Sequence, residues 1–455
     1  MSTDGDDLEK TLMMAAADAD ARNNENRVSV IKSLETVVNE TASLQMEPPL
    51  LIPQESKGLK RKLQAEREEK RSYDDERVRN ERAKKRGESP QPQPPPPEPA
   101  PAHSGGYAKV VATHYNQLEE KGLDERSRSR IFYMRNFHNW IKSMQINENL
   151  EACKEKKKHN VPIRVMDMCC GKGGDLLKWR KGCINHLICT DIAEVSLDQC
   201  KTRYQEMKDR RDRTPGQIYS AEYIAADATK VRLREKYKDP SIKLDLVSCQ
   251  FAFHYSFESL PQAECMIRNG AECLQPGGFF FGTIPDANEI VARLKKAGRK
   301  TFGNDVFSVV YDSDLDNPPI FGAKYNFHLD GVVDCPEFLV HFGSFVKLAK
   351  KYGLKLVRKE KFHEFYQRLK NEGRNLLSAM NSLETYSSQG RECLVGTNPE
   401  DYKHAEEYCK EKDTDAPVGT LSKSEWEASS LYMTFTFEKV KNDWNDDGTP
   451  KYIFD

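Results

Sequence analysis

The chain has 455 residues, twelve cysteines and a formal net charge of −1, so its total charge indicates no preference for an acidic or a basic partner. The polar, acidic N-terminus argues against a secretory signal, and no apolar stretch reaches the roughly 20 residues that span a bilayer, so no membrane contact is expected. Because the cysteines form no C-x-x-C pair, we expect no metal site and a reducing, intracellular location.

Residues 1–104 have the composition of a disordered tail. Residues 1–56 carry 11 acidic and 4 basic side chains, whereas residues 57–86 carry 13 basic and 7 acidic ones. A proline-rich run from Pro90 to Pro101 follows and predicts an extended linker. Such a segment cannot bury enough apolar surface to offset its chain entropy, so we expect the folded domain to occupy residues 105–455.

The tail contains two basic clusters, Lys60–Lys62 and Arg82–Arg86. Clusters of this kind are typical of nuclear localisation signals, which would engage a nuclear import receptor, or of tethers that contact RNA. The alternative is a solvated mixed-charge helix over residues 59–86, because glutamate and arginine are frequent neighbours there. These interpretations are compatible, and the clusters predict a nuclear location.

The most informative stretch covers residues 164–179. An apolar run that includes Asp167 leads into the small-residue turn Cys169-Cys170-Gly171-Lys172-Gly173-Gly174, and Asp175 stands in N-cap position before an amphipathic helix. A strand that feeds a helix through a glycine-rich turn forms a cradle for a nucleotide-like ligand, because glycine lets the backbone approach the ligand closely. The dinucleotide fingerprint G-x-G-x-x-G is absent from this turn.

Further strands end in polar side chains at regular intervals. The runs His186–Ile192, Tyr223–Asp227 and Leu244–Phe251 each read as a strand, with Asp191, Asp227 and Gln250 at or near their carboxyl ends. An acid about 20 residues past the turn is well placed to bind the two ribose hydroxyls of a nucleoside. A Pro-Gly-Gly turn then feeds a fifth strand near residues 274–283. The spacing also predicts a helix over 130–142 and another that runs from about 193 through 211.

The order of strands, polar tips and helices predicts an α/β fold with a mostly parallel, doubly wound sheet. A period-two pattern over residues 302–340 indicates an antiparallel β-rich insertion, and the chain returns to the sheet at residues 354–357 and 431–437. The Asp-x-x-x-Gly-x-Gly-Gly turn resembles the first motif of Rossmann-like class I S-adenosylmethionine-dependent methyltransferases. That resemblance implies a seven-stranded sheet whose last strand is antiparallel.

Residues 107–440 are similar to the eukaryotic mRNA cap guanine-N7 methyltransferases, in their vertebrate form. The motifs that carry this resemblance are Arg135–Trp140, Cys170–Trp179, Cys249–Phe251, His254–Glu258 and Gly419–Glu427. The resemblance implies that residues 105–455 form a catalytic domain that transfers a methyl group from S-adenosylmethionine to N7 of the 5′ guanosine cap. It also implies a small activating subunit, in addition to the capped RNA 5′ end, as a partner.

The resemblance further implies two sets of site residues. S-adenosylmethionine would be surrounded by Lys142, Cys169, Asp191, Asp227, Gln250 and Tyr255. The cap guanosine and its triphosphate would be surrounded by His138, Asn139, Lys172, Lys178, Arg203, His254, Glu337 and Tyr432. Two positions depart from the family pattern. Cys169 replaces the first glycine of the cofactor turn, and His138-Asn139 replaces Asn-Asn.

The chemistry of this reaction asks little of the side chains. Guanine N7 has a free lone pair and carries no proton, so we expect no catalytic general base and assign positioning to His254, Tyr255 and Glu337. Arg203 alone reads as a solvated helix residue, whereas Lys172 is a long cation inside a glycine turn. We expect Trp140 and Trp179 to be core residues. The alternatives are a catalytically silent RNA-binding scaffold, motivated by Cys169, and a methyltransferase that acts on another RNA substrate.

Overall fold

A computed structural model describes residues 106–118, 123–157, 161–209, 218–387 and 394–440. All of them belong to one compact unit. The predicted tail, with its basic clusters and its proline-rich linker, lies outside the described residues and stays a prediction. None of the described helices combines the length and the apolar character that a bilayer span requires.

The described residues form twelve α-helices. In chain order they are α1 Ala108–Gln117, α2 Leu123–Ser127, α3 Phe132–Lys156, α4 Leu176–Lys181, α5 Glu194–Asp209, α6 Leu260–Ala271, α7 Ala287–Ala297, α8 Phe342–Lys351, α9 Phe362–Leu369, α10 Arg374–Ala379, α11 Lys403–Glu411 and α12 Lys423–Ser429. Two short 3₁₀ segments, Leu233–Lys236 and Phe253–Glu258, accompany them.

The strands form three sheets. In chain order they are β1 Arg164–Met168, β2 His186–Asp191, β3 Ser220–Ala225, β4 Leu244–Gln250, β5 Leu274–Pro285, β6 Thr301–Gly303, β7 Phe307–Tyr311, β8 Lys324–Leu329, β9 Val333–Phe338, β10 Leu354–Lys361, β11 Glu384–Tyr386, β12 Val418–Thr420 and β13 Tyr432–Lys439. The main sheet has seven strands in the order β10-β13-β5-β4-β1-β2-β3. β13 is antiparallel to both of its neighbours, and the pairs β5–β4, β4–β1, β1–β2 and β2–β3 are parallel.

The predicted fold class is confirmed by this topology, including the reversed last strand. The β-rich insertion is also confirmed, because β6–β9 form a separate four-stranded antiparallel sheet. A third, two-stranded sheet pairs β11 with β12. The carboxyl ends of β1, β2, β3 and β4 meet at one edge of the main sheet, where a doubly wound fold binds its ligands.

Several predicted boundaries were wrong. The first long helix runs from Phe132 to Lys156 rather than over residues 130–142, because its buried face continues through Leu150 and Cys153. β3 ends at Ala225, so Asp227 lies in the loop beyond the strand. The predicted Pro-Gly-Gly turn lies inside β5, where Gly277 adopts φ 84° and the register with β4 shifts. Helix α5 is described to Asp209, and the rest of its predicted extent lies outside the described residues.

Two apolar layers cover the faces of the main sheet. One layer packs Phe253 of the second 3₁₀ segment together with Phe280 of β5 and Phe345 of α8. The other packs Leu150, Trp179 and Leu197 of α3, α4 and α5 against β1 and β2. A further apolar cluster includes Trp140, and both predicted core tryptophans, Trp140 and Trp179, are fully buried. These layers fix the positions of the strand ends, and with them the positions of the polar residues at that edge of the sheet.

Candidate active site

The turn after β1 is held to β2 by backbone hydrogen bonds. Cys170 N donates to Thr190 O over 2.9 Å, and Gly171 N donates to Oδ2 of Asp191 over 2.8 Å. Gly171 and Gly173 have φ of 53° and 76°, a region that favours glycine. A Cβ added to Gly173 would lie 2.7 Å from Leu176 Cδ1 and 2.8 Å from Cys200 Sγ, so the turn has no room for a side chain there.

Cys169 follows the backbone path expected of the glycine that it replaces. Its φ is 61°, in the left-handed region that costs an L-residue on the order of 1–2 kcal/mol. The neighbouring thiol of Cys249 on β4, together with burial, raises the pKa of the Cys169 thiol well above the usual value. The side chain therefore packs into the sheet, and its Cβ does not prevent the backbone from making the turn.

Asp191 ends β2 and connects the turn to the next helix. Its carboxylate is buried, and its Oδ1 accepts a hydrogen bond of 2.8 Å from Ala193 N while Oδ2 accepts the one from Gly171 N. Burial raises the pKa of this carboxyl group, although the backbone donors act in the opposite direction. Each oxygen keeps a second lone pair, so the group can still accept hydrogen bonds from a ribose.

An apolar cleft opens beside this turn. It is lined by Cys169, Ile192, Ala226, Asp227 and Tyr255, and Tyr107 and Val111 of the α1 region form another part of its wall. Asp227 Oδ1 accepts hydrogen bonds from Thr229 N and Thr229 Oγ1 over 3.0 and 2.6 Å. An apolar cavity with a carboxylate at its edge suits a flat heteroaromatic base with an exocyclic amino group.

Gln250, at the end of β4, has one unused polar atom. Its Nε2 donates to Gln145 Oε1 and to Ser248 Oγ over 3.1 and 3.0 Å. Its Oε1 is buried and has no hydrogen-bond partner among the described residues. Because buried polar atoms are nearly always paired, this acceptor is consistent with a ligand at the strand ends. Together with the Gly171–Asp191 contact, it fits S-adenosylmethionine.

Lys142 and Lys178 share one buried carboxylate. Lys142 Nζ lies 2.9 and 3.0 Å from the two oxygens of Asp175, and Lys178 Nζ lies 2.8 Å from Oδ1. Lys178 also donates to Asn139 Oδ1 over 2.5 Å. Burial alone would raise the pKa of Asp175, but the two cations outweigh burial and lower it. Burial likewise lowers the pKa of Lys178, against the effect of Asp175.

Asp175 corrects one detail of the sequence reading. It does occupy the N-cap position of α4, but its side chain makes no capping hydrogen bond because both oxygens face the two lysines. The acid therefore ties α3, which carries Asn139 and Lys142, to the helix that follows the cofactor turn. No pattern in the sequence predicts this connection between the two sets of site residues.

A second polar cluster surrounds Glu337 on β9. Its Oε2 accepts a 2.6 Å hydrogen bond from the hydroxyl of Tyr325, and its Oε1 lies 3.2 Å from Nε2 of His254 and 3.5 Å from the hydroxyl of Tyr255. The His254 contact is close but is not aligned as a hydrogen bond, so both ring nitrogens lack a partner among the described residues. His254 and Glu337 are both almost fully buried.

Tyr115, from α1, reaches this cluster. Its hydroxyl lies 3.2 Å from the hydroxyl of Tyr255, and burial raises the pKa of both phenols well above the usual value. Tyr255 thus borders the cofactor cleft and also contacts Glu337. Sequence reasoning missed Tyr115 and Tyr325, because a tyrosine in an amphipathic helix or an alternating strand reads as an ordinary core residue.

His138 and Tyr432 belong to an aromatic cluster with Phe251 and Phe362. The His138 ring stacks on Phe251 with centroids 5.5 Å apart, and Tyr432 stacks on Phe362 at 5.6 Å. His138 Nε2 lies 2.9 Å from Ser429 Oγ, and burial lowers the pKa of the imidazole to about 3. Burial raises the pKa of Tyr432, and the charge of the nearby Glu337 raises it further. Tyr432 therefore connects the aromatic cluster electrostatically to the polar cluster around Glu337.

The remaining predicted cations lie at the cofactor turn. Lys172 Nζ donates to Leu118 O over 3.1 Å, and Arg203 Nη1 donates to the backbone O of Lys172 over 3.0 Å. Arg203 is therefore more than a solvated helix residue, because it supports the turn from α5. The structure brings the predicted cations and the glycine turn together, but their phosphate contacts stay a prediction.

The fold and this cleft define the class of protein. A seven-stranded sheet with an antiparallel last strand, a glycine turn after β1 and an acid at the end of β2 are the features of a Rossmann-like S-adenosylmethionine-dependent methyltransferase. Comparison with known proteins narrows this class further, because residues 100–440 match the mRNA (guanine-N(7))-methyltransferase domain family.

Curated relatives agree with the family match. The chain is 54% identical over 349 residues to the mRNA cap guanine-N(7) methyltransferase of Drosophila melanogaster, across 76% of this chain and 80% of the relative. It is 40% identical to the protein of that name from Caenorhabditis briggsae and 38% identical to that from Caenorhabditis elegans, each across 73% of this chain and 87% of the relative. The chain belongs to the mRNA (guanine-N7)-methyltransferase family, as the motifs predicted.

Proposed function

We propose that this chain transfers a methyl group from S-adenosylmethionine to N7 of the 5′ guanosine cap of mRNA. The observation that supports this most directly is the double role of Tyr255. It lines the cofactor cleft, and its hydroxyl lies 3.5 Å from Glu337 Oε1. Tyr255 thereby borders both the cofactor cleft and the polar site around Glu337, so the two sites adjoin, as direct transfer between two bound molecules requires.

Glu337 is suited to the Watson–Crick edge of guanine. That edge presents the N1–H and the 2-amino group side by side as donors, and a carboxylate accepts two parallel hydrogen bonds. Tyr325 and His254 surround the carboxylate of Glu337 and limit its orientation. A base held by this edge directs its N7 to the opposite side. The aromatic rings of His138 and Tyr432 would then border the base.

The cap triphosphate needs positive charge near the cofactor turn. Lys172, Lys178 and Arg203 are the proposed phosphate contacts, and Asn139 is bonded to Lys178. Because Lys178 shares Asp175 with Lys142, part of its charge is already compensated. We therefore expect Arg203 to contribute more to the salt dependence of RNA binding than Lys178 does.

The proposed reaction needs no general base. S-adenosylmethionine supplies the methyl group on a positively charged sulfur, and guanine N7 offers a lone pair without a proton to remove. The residues of this chain then act by orienting the two molecules and by excluding water. Among the described residues the ring nitrogens of His254 have no hydrogen-bond partner, yet its proximity to Glu337 favours a positioning role over a proton transfer.

Regulatory partners are part of the proposal. We propose that the basic clusters Lys60–Lys62 and Arg82–Arg86 engage a nuclear import receptor, so that the protein works in the nucleus. We also propose a small activating subunit, which the family resemblance implies. Fluorescence microscopy of the full chain and of a variant with both clusters changed to alanine tests the import proposal. An unchanged nuclear fraction would contradict it.

The proposed methyl transfer is tested with isotopically labelled cofactor. Capped and uncapped RNA oligonucleotides of the same sequence are incubated with the full chain, and digestion of the product locates the label. We expect label on N7 of the cap guanosine and none in the uncapped RNA. Label at another position, or equal labelling of both RNAs, would favour the alternative of another RNA substrate.

The assignment of Glu337 is tested with a second cap. Inosine lacks the 2-amino donor, so the wild-type chain should methylate an inosine cap less efficiently than a guanosine cap. Glu337→Gln should lower kcat/KM for the guanosine cap by at least about tenfold, since each lost charge-assisted hydrogen bond costs about 1.5–3 kcal/mol. The variant should also discriminate less between the guanosine cap and the inosine cap. Asp334→Asn, an exposed carboxylate on the same strand, is the control.

The scaffold alternative rests on Cys169 and has lost its main support. Its φ of 61° shows that the backbone makes the glycine-like turn despite the side chain. A silent scaffold would bind S-adenosylmethionine weakly or not at all. Calorimetry that detects no binding to the folded full chain would favour the scaffold, and Cys169→Gly would then be expected to restore binding.

A further inference from the structure

Three cysteines from different parts of the chain meet beneath the cofactor turn. Cys170 belongs to the turn, Cys189 to β2 and Cys200 to α5, and their Sγ atoms all lie within 4.8 Å of one another. Cys189 and Cys200 are fully buried, whereas Cys170 is partly exposed. With 18 and 10 residues between them, these cysteines match no ligand spacing, so the sequence did not predict the cluster.

Backbone hydrogen bonds hold Cys170 in this cluster. Cys170 N is bonded to Thr190 O, and Gly173 N donates to Cys170 O over 3.1 Å. Cys200 Sγ can occupy its position because Gly173 has no side chain. A Cβ added to Gly173 would lie only 2.8 Å from this sulfur. The two adjacent cysteines of the turn also separate, because Cys169 contacts Cys249 while Cys170 faces Cys189 and Cys200.

The sulfur positions match a three-coordinate metal site. With metal–sulfur distances of about 2.3 Å, a trigonal site has sulfurs about 4.0 Å apart, so small side-chain rotations close the cluster around an ion. No fourth histidine, cysteine or carboxylate joins the group among the described residues, whereas structural zinc takes four ligands. Thiolates select soft ions such as Cu(I).

We propose that Cys170, Cys189 and Cys200 form a three-thiolate site for a soft monovalent cation of the Cu(I) type. Arg203 and Lys201 on α5 act electrostatically on Cys200 and offset part of the negative charge that the ligated site carries. Leu176 and Leu197 of the same apolar layer shield the ion from water. Each coordinating thiol gives its proton to solvent, and no electron is transferred.

The site is tested on the full-length, reduced chain without oxygen. Cu(I) is added in the presence of a chromogenic Cu(I) chelator, and the metal withheld from the chelator is counted. We expect one tightly held ion per chain, and X-ray absorption should find three sulfur neighbours. Cys189→Ala and Cys200→Ala should each weaken binding at least tenfold. Cys409→Ala, a buried cysteine in a separate cluster, should have no effect.

Two outcomes would overturn the proposal. One is loss of the ion in Cys249→Ala with retention in Cys189→Ala, which would assign it to the Cys169–Cys249 pair. The other is a wild-type absorption spectrum with two sulfur neighbours or none, which counts even if the alanine variants fail to fold. Circular dichroism melting of each variant, and Cys170→Ser as a milder change in the partly exposed ligand, separate lost ligation from lost folding.

Discussion

Gly171 N donates a 2.8 Å hydrogen bond to Oδ2 of Asp191, across the parallel strands β1 and β2. This contact couples the shape of the cofactor turn to a buried carboxylate that also accepts from Ala193 N. One residue thus has two tasks. It orders the glycine turn, and it offers its remaining lone pairs to the ribose of S-adenosylmethionine.

We expect Asp191→Ala to weaken the binding of S-adenosylmethionine by tenfold or more. Lost charge-assisted hydrogen bonds cost about 1.5–3 kcal/mol each, and the substitution also leaves Gly171 N and Ala193 N without their partner. Isothermal titration calorimetry with the folded variant measures the change. Asp198→Ala is the control, because this acid on α5 is largely exposed and its carboxylate forms an ion pair with Lys201. Equal cofactor affinity in both variants would remove Asp191 from the site.

Arg203→Ala should raise the Michaelis constant for capped RNA and flatten its dependence on salt. A cation that neutralises a phosphate contributes electrostatically to the free energy of RNA binding, and salt screens this contribution. Removal of the cation therefore makes RNA binding less dependent on the salt concentration. Steady-state kinetics over a series of salt concentrations gives both quantities. Cofactor affinity should change little, although Arg203 also supports the Lys172 carbonyl.

Lys201→Ala is the matched control for Arg203, two residues away on the same helix. Lys201 is about half exposed and forms an ion pair with Asp198 over 2.8 Å. We expect this variant to keep the wild-type salt slope. If both variants behave alike, the contribution of Arg203 is only general surface charge, and the triphosphate needs other contacts.

The sequence predicted the main sheet well because its strands are short apolar runs with polar ends. That pattern predicts the polar residues Asp191 and Gln250 at the carboxyl ends of β2 and β4, and it also predicts the glycine turn. The full length of α3 was missed, since beyond Lys142 its buried face carries polar residues such as Gln145 and Asn149. Gln145 donates to Gly282 O and Phe435 O inside the core, a pairing that periodicity does not reveal.

Contacts between distant segments were the least predictable part of the site. Tyr115 reaches Tyr255 across 140 positions of sequence, and His138 meets Ser429 across 291. Glu337 and Tyr432 were assigned through the family resemblance, because no local pattern gives either residue a role. The tertiary packing of the inserted sheet against the main sheet brings them to the cleft, and propensity carries no information about such packing.

His138 should make the stability of the protein depend on pH. Its pKa is about 3 in the folded chain and about 6.5 in an unfolded one, so between these values the unfolded chain binds more protons. The free energy of unfolding therefore falls as the pH decreases from about 6.5 towards 3. From pH 7 to pH 5 the loss from this group is at most about 2 kcal/mol.

His138→Gln should remove this contribution and flatten the profile. Urea unfolding at pH 7 and pH 5 gives the two free energies for each variant. His363→Gln, at an exposed position of α9, serves as the control and should keep the wild-type difference. A His138→Gln variant with an unchanged pH dependence would mean that another buried group causes it.

Two truncations separate the tail from helix α1. Deletion of residues 1–104 should leave methyl transfer on a short capped RNA nearly unchanged, because the described cleft residues lie beyond that boundary. Deletion of residues 1–118 should instead weaken S-adenosylmethionine binding, since it removes Tyr107 and Val111 from the cleft wall and Tyr115 from its contact with Tyr255. It also removes the Leu118 carbonyl that Lys172 contacts.

The comparison needs a check that α1 acts through these contacts and not only through folding. Tyr115→Phe in the full chain removes the hydroxyl contact of 3.2 Å while keeping the ring, and should cause a smaller loss of turnover than the longer deletion. Thermal melting of all variants shows which remain folded. If the shorter deletion folds but loses turnover, the boundary at residue 104 is wrong. If the longer deletion binds cofactor like the shorter one, α1 does not form part of the site.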